Sequence, residues 1–305
     1  PVILMALGLP LPKKIFGHPW LLVGMDKISK SRGNAIYADD LAGLFGSDAV
    51  RYFGLSEMPY LNDGSITYES FISRYNSDLA NTLGNLVNRT ASMINKYFGG
   101  IVPSPAEIDD IDEDVRKSVE TGVKNVYDNF NSFHIADAAD SIMAVLRRLN
   151  KYIDETAPWV LGKDESKKHR LATVMYNLYE GIRICATLLY PFIPSSAEKI
   201  IKQIDDPENS VIGITDWKSI EKFGKPVPEG ARVNPKPEPL FVRIDEEKKM
   251  AEINAAKAAA LSKKAEHENA KNEDKKAQES NELIDIADFA KIKLICAKII
   301  SAEPV

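Results

Sequence analysis

The stretch from Tyr68 to Phe98 constrains the fold most. Its large residues Tyr68, Phe71, Ile72, Tyr75, Leu79, Leu83, Leu86, Val87, Ile94 and Tyr97, with Thr90, recur at steps of three and four. That spacing lines them along one stripe of a helix and predicts a single long one. On a wheel of about 100° per residue, the opposite face carries Asn81, Asn85, Asn88, Arg89 and Ser92. A merely solvated helix face is usually Glu, Lys and Gln, which favour helix; asparagine does not. Asparagines beside one arginine, with no acid, point to hydrogen-bonding work. A surface that tolerates asparagine, or polar contacts to another helix, would explain the same residues, and both readings stand at this point.

Four more apolar stripes follow. They run Val115–Phe130, Ile135–Ile153, Leu171–Leu189 and Ile200–Ile204, with Asn131-Ser132 between the first two. A capping box from Ser195 to Glu198 is expected to open the last. Earlier, residues 39–46, with Leu41, Leu44 and Phe45, predict a short helix, with Ser47 capping the next and Asp48 in its first turn. Short connections between amphipathic stripes predict an antiparallel helix bundle. Thr156-Ala157-Pro158-Trp159 interrupts the pattern. Proline disfavours helix at Ala157, so Trp159 falls at a helix corner, either as core packing or as a stacking plane. Residues 210–248 hold many prolines and read as an extended tail across the bundle, ending near Phe241-Val242-Arg243-Ile244. Residues 247–283 have almost no large apolar side chain and cannot bury a core, so a solvated helix or disordered linker is expected. Strand-like patterning returns at Ile284.

Several function classes find no support. The 305 residues are 44% hydrophobic and 27% charged, which suits about two globular domains. No apolar run reaches the roughly 18 residues of a membrane span. No secretory signal opens the chain; Pro1-Val2-Ile3-Leu4 starts inside a helical pattern, and a missing N-terminal part is the expectation. Cys185 and Cys296 lack metal-ligand spacing, and Cys185 on an apolar stripe reads as a reduced core cysteine of a cytosolic protein. No histidine pairs with Ser or Cys as a triad would. The net charge of −5 means that any RNA must meet a local face rather than a general positive field.

One short stretch carries chemistry: Lys27-Ile28-Ser29-Lys30-Ser31-Arg32-Gly33-Asn34. Two lysines flanking a small residue converge on one polyanion, serines add donors, and Gly33 allows close approach. A solvated basic turn would also look like this. The strand-like run Trp20-Leu21-Leu22-Val23, ended by Gly24, precedes it, and Asp48-Ala49-Val50-Arg51-Tyr52 follows.

Lys27 to Ser31 resembles the KMSKS loop of class I aminoacyl-tRNA synthetases, with Ile28 in place of Met. Phe16-Gly17-His18-Pro19-Trp20-Leu21-Leu22 and Asp48 to Tyr52 narrow the resemblance to the methionyl-tRNA synthetase family. The resemblance implies a mainly α protein. Residues 1–60 would be the C-terminal end of a Rossmann-type α/β catalytic domain, 61–210 an anticodon-binding helix bundle, and 211–248 its extended tail. Residues 249–283 would be a charged linker and 284–305 the start of a truncated tRNA-binding OB-fold. It further implies methionine, ATP with Mg2+ and tRNA(Met) as partners, and methionyl-adenylate as the intermediate. Lys27 and Lys30 would be catalytic, with Ser29 and Ser31 joining them in binding ATP. Asn85, Arg89 and Trp159 would read the anticodon. The family's HIGH motif is absent, so the chain would carry half an active site; zinc, where present, would belong to the upstream part and not to this chain. A homodimer through the OB-fold and a cytoplasmic location are also implied. Another class I synthetase, for valine, isoleucine or leucine, shares the loop, and a non-catalytic tRNA-binding module remains open for the chain alone.

Overall fold

The computed structural model describes residues 1–15, 17, 19–24, 26–27, 36–57, 62–204, 217–224, 230–258 and 291. Residues 1–246 form one compact unit and 247–305 a second. Residues 246–258 are helical; the rest of the stretch expected to be a solvated helix or disordered linker lies outside the described residues. The OB-fold expectation over 284–305 lies outside the described residues, apart from Lys291.

The first unit opens with helix α1 (Val2–Ala6) and a three-stranded sheet. Strand β1 (Leu21–Val23) sits between β2 (Asp26–Lys27), antiparallel to it, and β3 (Gly64–Ile66), parallel to it. Leu22 pairs with Lys27 on one side and Ser65 on the other. Gly24 supplies the left-handed turn between β1 and β2, with φ of 62°. Strand β3 was not expected; Asn62-Asp63-Gly64 reads as a turn, yet the Asp63 carboxylate accepts from the Trp20 amide at 2.8 Å and starts the pairing. Helices α2 (Ala38–Phe45) and α3 (Ser47–Ser56) come between β2 and β3.

The stretch from Tyr68 to Phe98 is helical throughout, as its spacing predicts, but not uniformly α. Helix α4 (Tyr68–Arg74) opens on a capping box from Thr67 and Ser70. Residues Tyr75–Gly84 are π-helical, and α5 (Asn85–Phe98) resumes the α form. The Asn85 amide donates five residues back to the Ala80 carbonyl. Two contacts accept this wider turn. The Asn150 amide donates to the Thr82 carbonyl at 2.9 Å. A Cβ on Gly84 would lie 3.1 Å from the Leu79 carbonyl and within 3.8 Å of the Phe241 backbone, so glycine lets the tail cross there.

The bundle continues with α6 (Asp110–Asn131), α7 (Ile135–Thr156), the short α8 (Pro158–Leu161), α9 (Lys168–Leu189) and α10 (Pro194–Ile204). Helix α9 is the axis: every residue from Arg170 to Leu189 is buried. Its apolar stripe was legible, its burial on all faces was not. The polar residues of α9 therefore need partners in the interior. Arg170 holds Asp112 of α6 with two bonds at 2.9 and 3.0 Å, and Asp109 at 2.7 Å. Asn177 donates to Asp112 and to the Tyr152 hydroxyl of α7, and that hydroxyl donates to Asp112. Burial first, then the Asp112 carboxylate, pushes the Tyr152 phenol above its ordinary range. Cys185 is buried and unbonded to another cysteine.

Two expected caps fall elsewhere. Ser47 is the first residue of α3, after Gly46, and makes no side-chain cap. Helix α10 starts at Pro194, so Ser195 lies inside it. Its cap is supplied across the fold: Asp48 of α3 accepts from the Ser196 amide at 2.5 Å. Over the described residues 230–245 the tail lies along the bundle, with Val233 and Asn234 bonded to Gly100 and Gln203, and Asn76 bonded twice to the Ile244 backbone. It also contains a short 3-10 turn, Trp217–Ile220, held by Arg183 through Ser219.

The Asp112 knot predicts a large stability effect. Asp112→Ala takes from the buried Arg170 guanidinium its two-pronged carboxylate partner and leaves it only the exposed Asp109, at a cost of roughly 3–5 kcal/mol. Urea denaturation should show a midpoint far below that of the parent; a loss under 1 kcal/mol, the range of an exposed pair, would mean the knot does not hold the three helices.

Candidate functional site

Two groups of candidate residues were expected. Of the first, the Lys27 backbone closes strand β2, paired with Leu22. Its side chain, and Ser29, Lys30 and Ser31, lie outside the described residues. What is described is how the loop's flanks are anchored. After the loop, α2 leads into α3, and α3 grips the bundle at three places. Asp48 caps α10; Arg51 donates to the Phe192 and Pro191 carbonyls at 3.2 and 2.8 Å; the Tyr52 hydroxyl donates to Asp78 at 2.7 Å. Asp78 is a buried carboxylate in the π-helical segment, also held by Ser77 at 3.1 Å and facing Arg74 at 3.4 Å. Burial, then the charge of Asp78, raises the Tyr52 phenol pKa, which keeps it the donor.

The second group is fully described. Asn85 opens α5 as an exposed amide. Arg89, one turn on, is half-exposed and lies 3.7 Å from Asp154 of α7. Trp159 projects from α8 with 42% of its surface exposed. Three contacts set their relation. Asn150 meets Thr82, Asp154 meets Arg89, and Gly162 meets Tyr97. The chain from 150 to 162 thus runs beside 82 to 97 in the same direction, and Trp159 falls between the Arg89 and Tyr97 levels. The corner is tight. Ala157 is left-handed, with φ of 42° and ψ of 61°, a conformation a non-glycine residue holds only under constraint. Pro158 follows as the first helical residue and is buried.

The arrangement suits unpaired bases. Asn85 offers donors and an acceptor, Arg89 a planar fork, and Trp159 an open aromatic face. The Arg89–Asp154 pair is exposed on both sides and contributes about 0–1 kcal/mol, so the guanidinium is free to turn to a ligand at little cost. The polar stripe on α5 holds as the wheel placed it: Asn81, Asn85 and Ser92 are exposed, and Asn88 half-exposed. Sequence reasoning missed Asp154, Asn150 and Tyr97. Asp154 stands on the same turn as the apolar Ile153 and only its neighbour across the bundle gives it meaning. Among the described residues, no cluster of His, Cys, Asp or Glu could hold a metal ion, and no helix is long and apolar enough to cross a membrane.

Comparison with known proteins gives the family. Residues 1–91 match the model of class I tRNA synthetases of the methionine type. Residues 102–262, over half the chain, match that of the anticodon binding domain of methionyl tRNA ligase. The chain belongs to the methionyl-tRNA synthetase family. It is 44% identical, over all 305 residues, to the methionine–tRNA ligase of Caldanaerobacter subterraneus subsp. tengcongensis, and 43% identical to that of Clostridium perfringens. Each alignment takes in the whole chain and 45% of the relative, so the chain spans under half the length of these curated relatives. Mycobacterium tuberculosis methionyl-tRNA synthetase bound by methionyl-adenylate is similar in structure, with a TM-score of 0.69 and 35% identity, over 78% of this chain and 46% of that one. In this member of the methionyl-tRNA synthetase family, then, α3 ties the segment after the loop to the bundle.

That joint yields a test. Tyr52→Phe removes one donor to a buried carboxylate and is expected to lower stability by roughly 1–3 kcal/mol. Thermal unfolding of the purified chain measures it, and an unchanged midpoint would remove Tyr52 from the joint.

Proposed function

We propose that this chain works as part of a methionine–tRNA ligase, which charges tRNA(Met) with methionine through methionyl-adenylate at the expense of ATP. The reading is supported by the run of residues 150–162 beside α5, which carries Asn85 and Arg89, with the exposed Trp159 on that run, in a chain of this family. In this reading the anticodon loop meets α5. Splayed bases stack on Trp159 and are read at their edges by Asn85 and Arg89. Lys27 and Lys30 meet the charge that builds on the ATP phosphates as methionine attacks, with Ser29 and Ser31 adding donors. ATP enters as its Mg2+ complex. An OB-fold beyond residue 284, a homodimer built through it and a cytoplasmic location belong to the same proposal and rest on the sequence resemblance.

Two measurements test it. Stacking tolerates any base, whereas paired edge contacts do not, and each is worth roughly 1–3 kcal/mol. Titration of the purified chain with RNA hairpins bearing a CAU or an altered loop should show preference for CAU. Asn85→Ala and Arg89→Ala should narrow that preference, and Trp159→Ala should weaken binding to both hairpins. Full discrimination by all three variants would make the asparagine face ordinary surface.

The loop is tested in a polypeptide that joins this chain to an upstream half of the kind its relatives carry. There Lys30→Ala is expected to slow single-turnover adenylate formation roughly 10²–10³-fold, the usual loss for one preorganised donor to a developing oxyanion. An unchanged rate would make the loop structural.

A further inference from the structure

The Trp159 corner is held in a backbone conformation that its own sequence disfavours. Ala157 is left-handed and precedes a proline, whose ring pushes the residue before it toward extended geometry. A strained residue persists only where its surroundings over-determine it. On the N-terminal side, the Ala157 amide completes α7 on the Ile153 carbonyl at 3.0 Å, and Thr156 bonds back to the Tyr152 carbonyl at 2.7 Å. On the C-terminal side, Gly162 ends α8, its amide 2.9 Å from the Pro158 carbonyl. Here the chain lies flat on the ring of Tyr97. A Cβ at 162 would fall 2.4 Å from Tyr97 Cε1 and 2.7 Å from Cζ, so the ring occupies the space a side chain would need.

Tyr97 belongs to α5. Asn85, Arg89 and Tyr97 stand at intervals of four and eight along that helix, and Arg89 and Tyr97 are about 12 Å apart at the rise of an α-helix. The edge-reading residues and the support of the stacking residue are thus built on one rigid element.

We propose that Tyr97 is a positioning residue for anticodon recognition: its ring seats the Gly162 end of the Trp159 turn, so that α5 fixes the indole relative to the Asn85 and Arg89 it carries. The inference rests on the reading of Asn85, Arg89 and Trp159 as the anticodon interface. Tyr97 need not touch RNA. It acts through the placement of Trp159, since a stacking plane shifted by an ångström or so no longer meets a base whose edge is held by Arg89.

The test is a double-mutant cycle on the purified chain, titrated with CAU and altered-loop hairpins. Tyr97→Ala is expected to weaken CAU binding about tenfold, the scale of losing one stacked base. Tyr97→Phe, which keeps the ring, should bind as the parent does. Gly162→Ala drives a methyl into the ring from the other side and should match Tyr97→Ala, at an unchanged melting temperature. In a Trp159→Ala background, neither change should cost anything further, because residues acting through one another are not additive. The same loss in both backgrounds would show that Tyr97 only supports the helix, and parent-like binding by Tyr97→Ala or Gly162→Ala would remove the role outright. A parent chain without preference for CAU would overturn the interface itself, and this inference with it. Preference and Trp159 dependence retained, with no effect at Tyr97, would overturn the inference alone.

Discussion

A helix buried on every side cannot leave a polar group unpaired, and α9 carries several. This constraint arranges the rest of the bundle. Arg170 and Asn177 take Asp112 and Tyr152, which sets α6 and α7 against α9. Thr173 accepts the Ala106 and Glu107 amides and fixes the connection into α6. Glu180 and Arg183 pair with each other at 2.7 Å and then bind Ser219 and the Gly224 amide, which draws the tail onto the bundle. Apolar burial supplies the driving force, but it does not choose between registers of similar packing. The polar partners do, because a slipped helix would strand a charge in the interior at several kcal/mol.

The same logic places the candidate interface. The helix from Tyr68 to Phe98 touches the class I portion at one end and carries Asn85 and Arg89 toward the other. Its π-helical middle is where both neighbours attach: Tyr52 through Asp78, and the tail through Gly84 and Asn76. A wide turn leaves carbonyls off the regular ladder, and the Thr82 carbonyl is taken by Asn150 of α7. π-helical insertions recur at functional sites. Here the segment joins directly onto Asn85, so the placement of the polar α5 face depends on contacts made a turn or two upstream.

Periodicity exposed the elements whose environment repeats along the sequence. The α5 polar stripe, the bundle helices and the Trp159 corner were legible because each depends on local spacing or on a proline. The π segment left only a faint trace: Tyr75, Leu79 and Leu83 step by four, with no step of three between them. Strand β3 is three residues long and owes its existence to a partner some forty positions away. The cap on α10 comes from Asp48, 148 residues distant, and a serine beside a helix start cannot announce that its role is taken. Complete burial of α9 was hidden by its charges, since Arg170, Glu180 and Arg183 look solvent-facing until their partners are known. Of the site, the three candidate readers were found from sequence, whereas Asp154 and Tyr97 needed the fold that brings 150–162 alongside α5.

The arginines show why only part of this charge can serve recognition. Arg170 and Arg183 are buried and held by carboxylates in two-pronged geometry. Withdrawing either guanidinium would strand its partner, at roughly 3–5 kcal/mol, more than one base contact returns. Arg51 is taken up by the Pro191 and Phe192 carbonyls in the turn between α9 and α10. Arg89 differs. Its acidic neighbour Asp154 is exposed, sits 3.7 Å away and holds it by about 1 kcal/mol or less. In the proposed reading, a base edge offering two acceptors would replace that contact. The same residue type thus serves the interior, where it binds helices together, and the surface, where little holds it, and depth of burial separates the two.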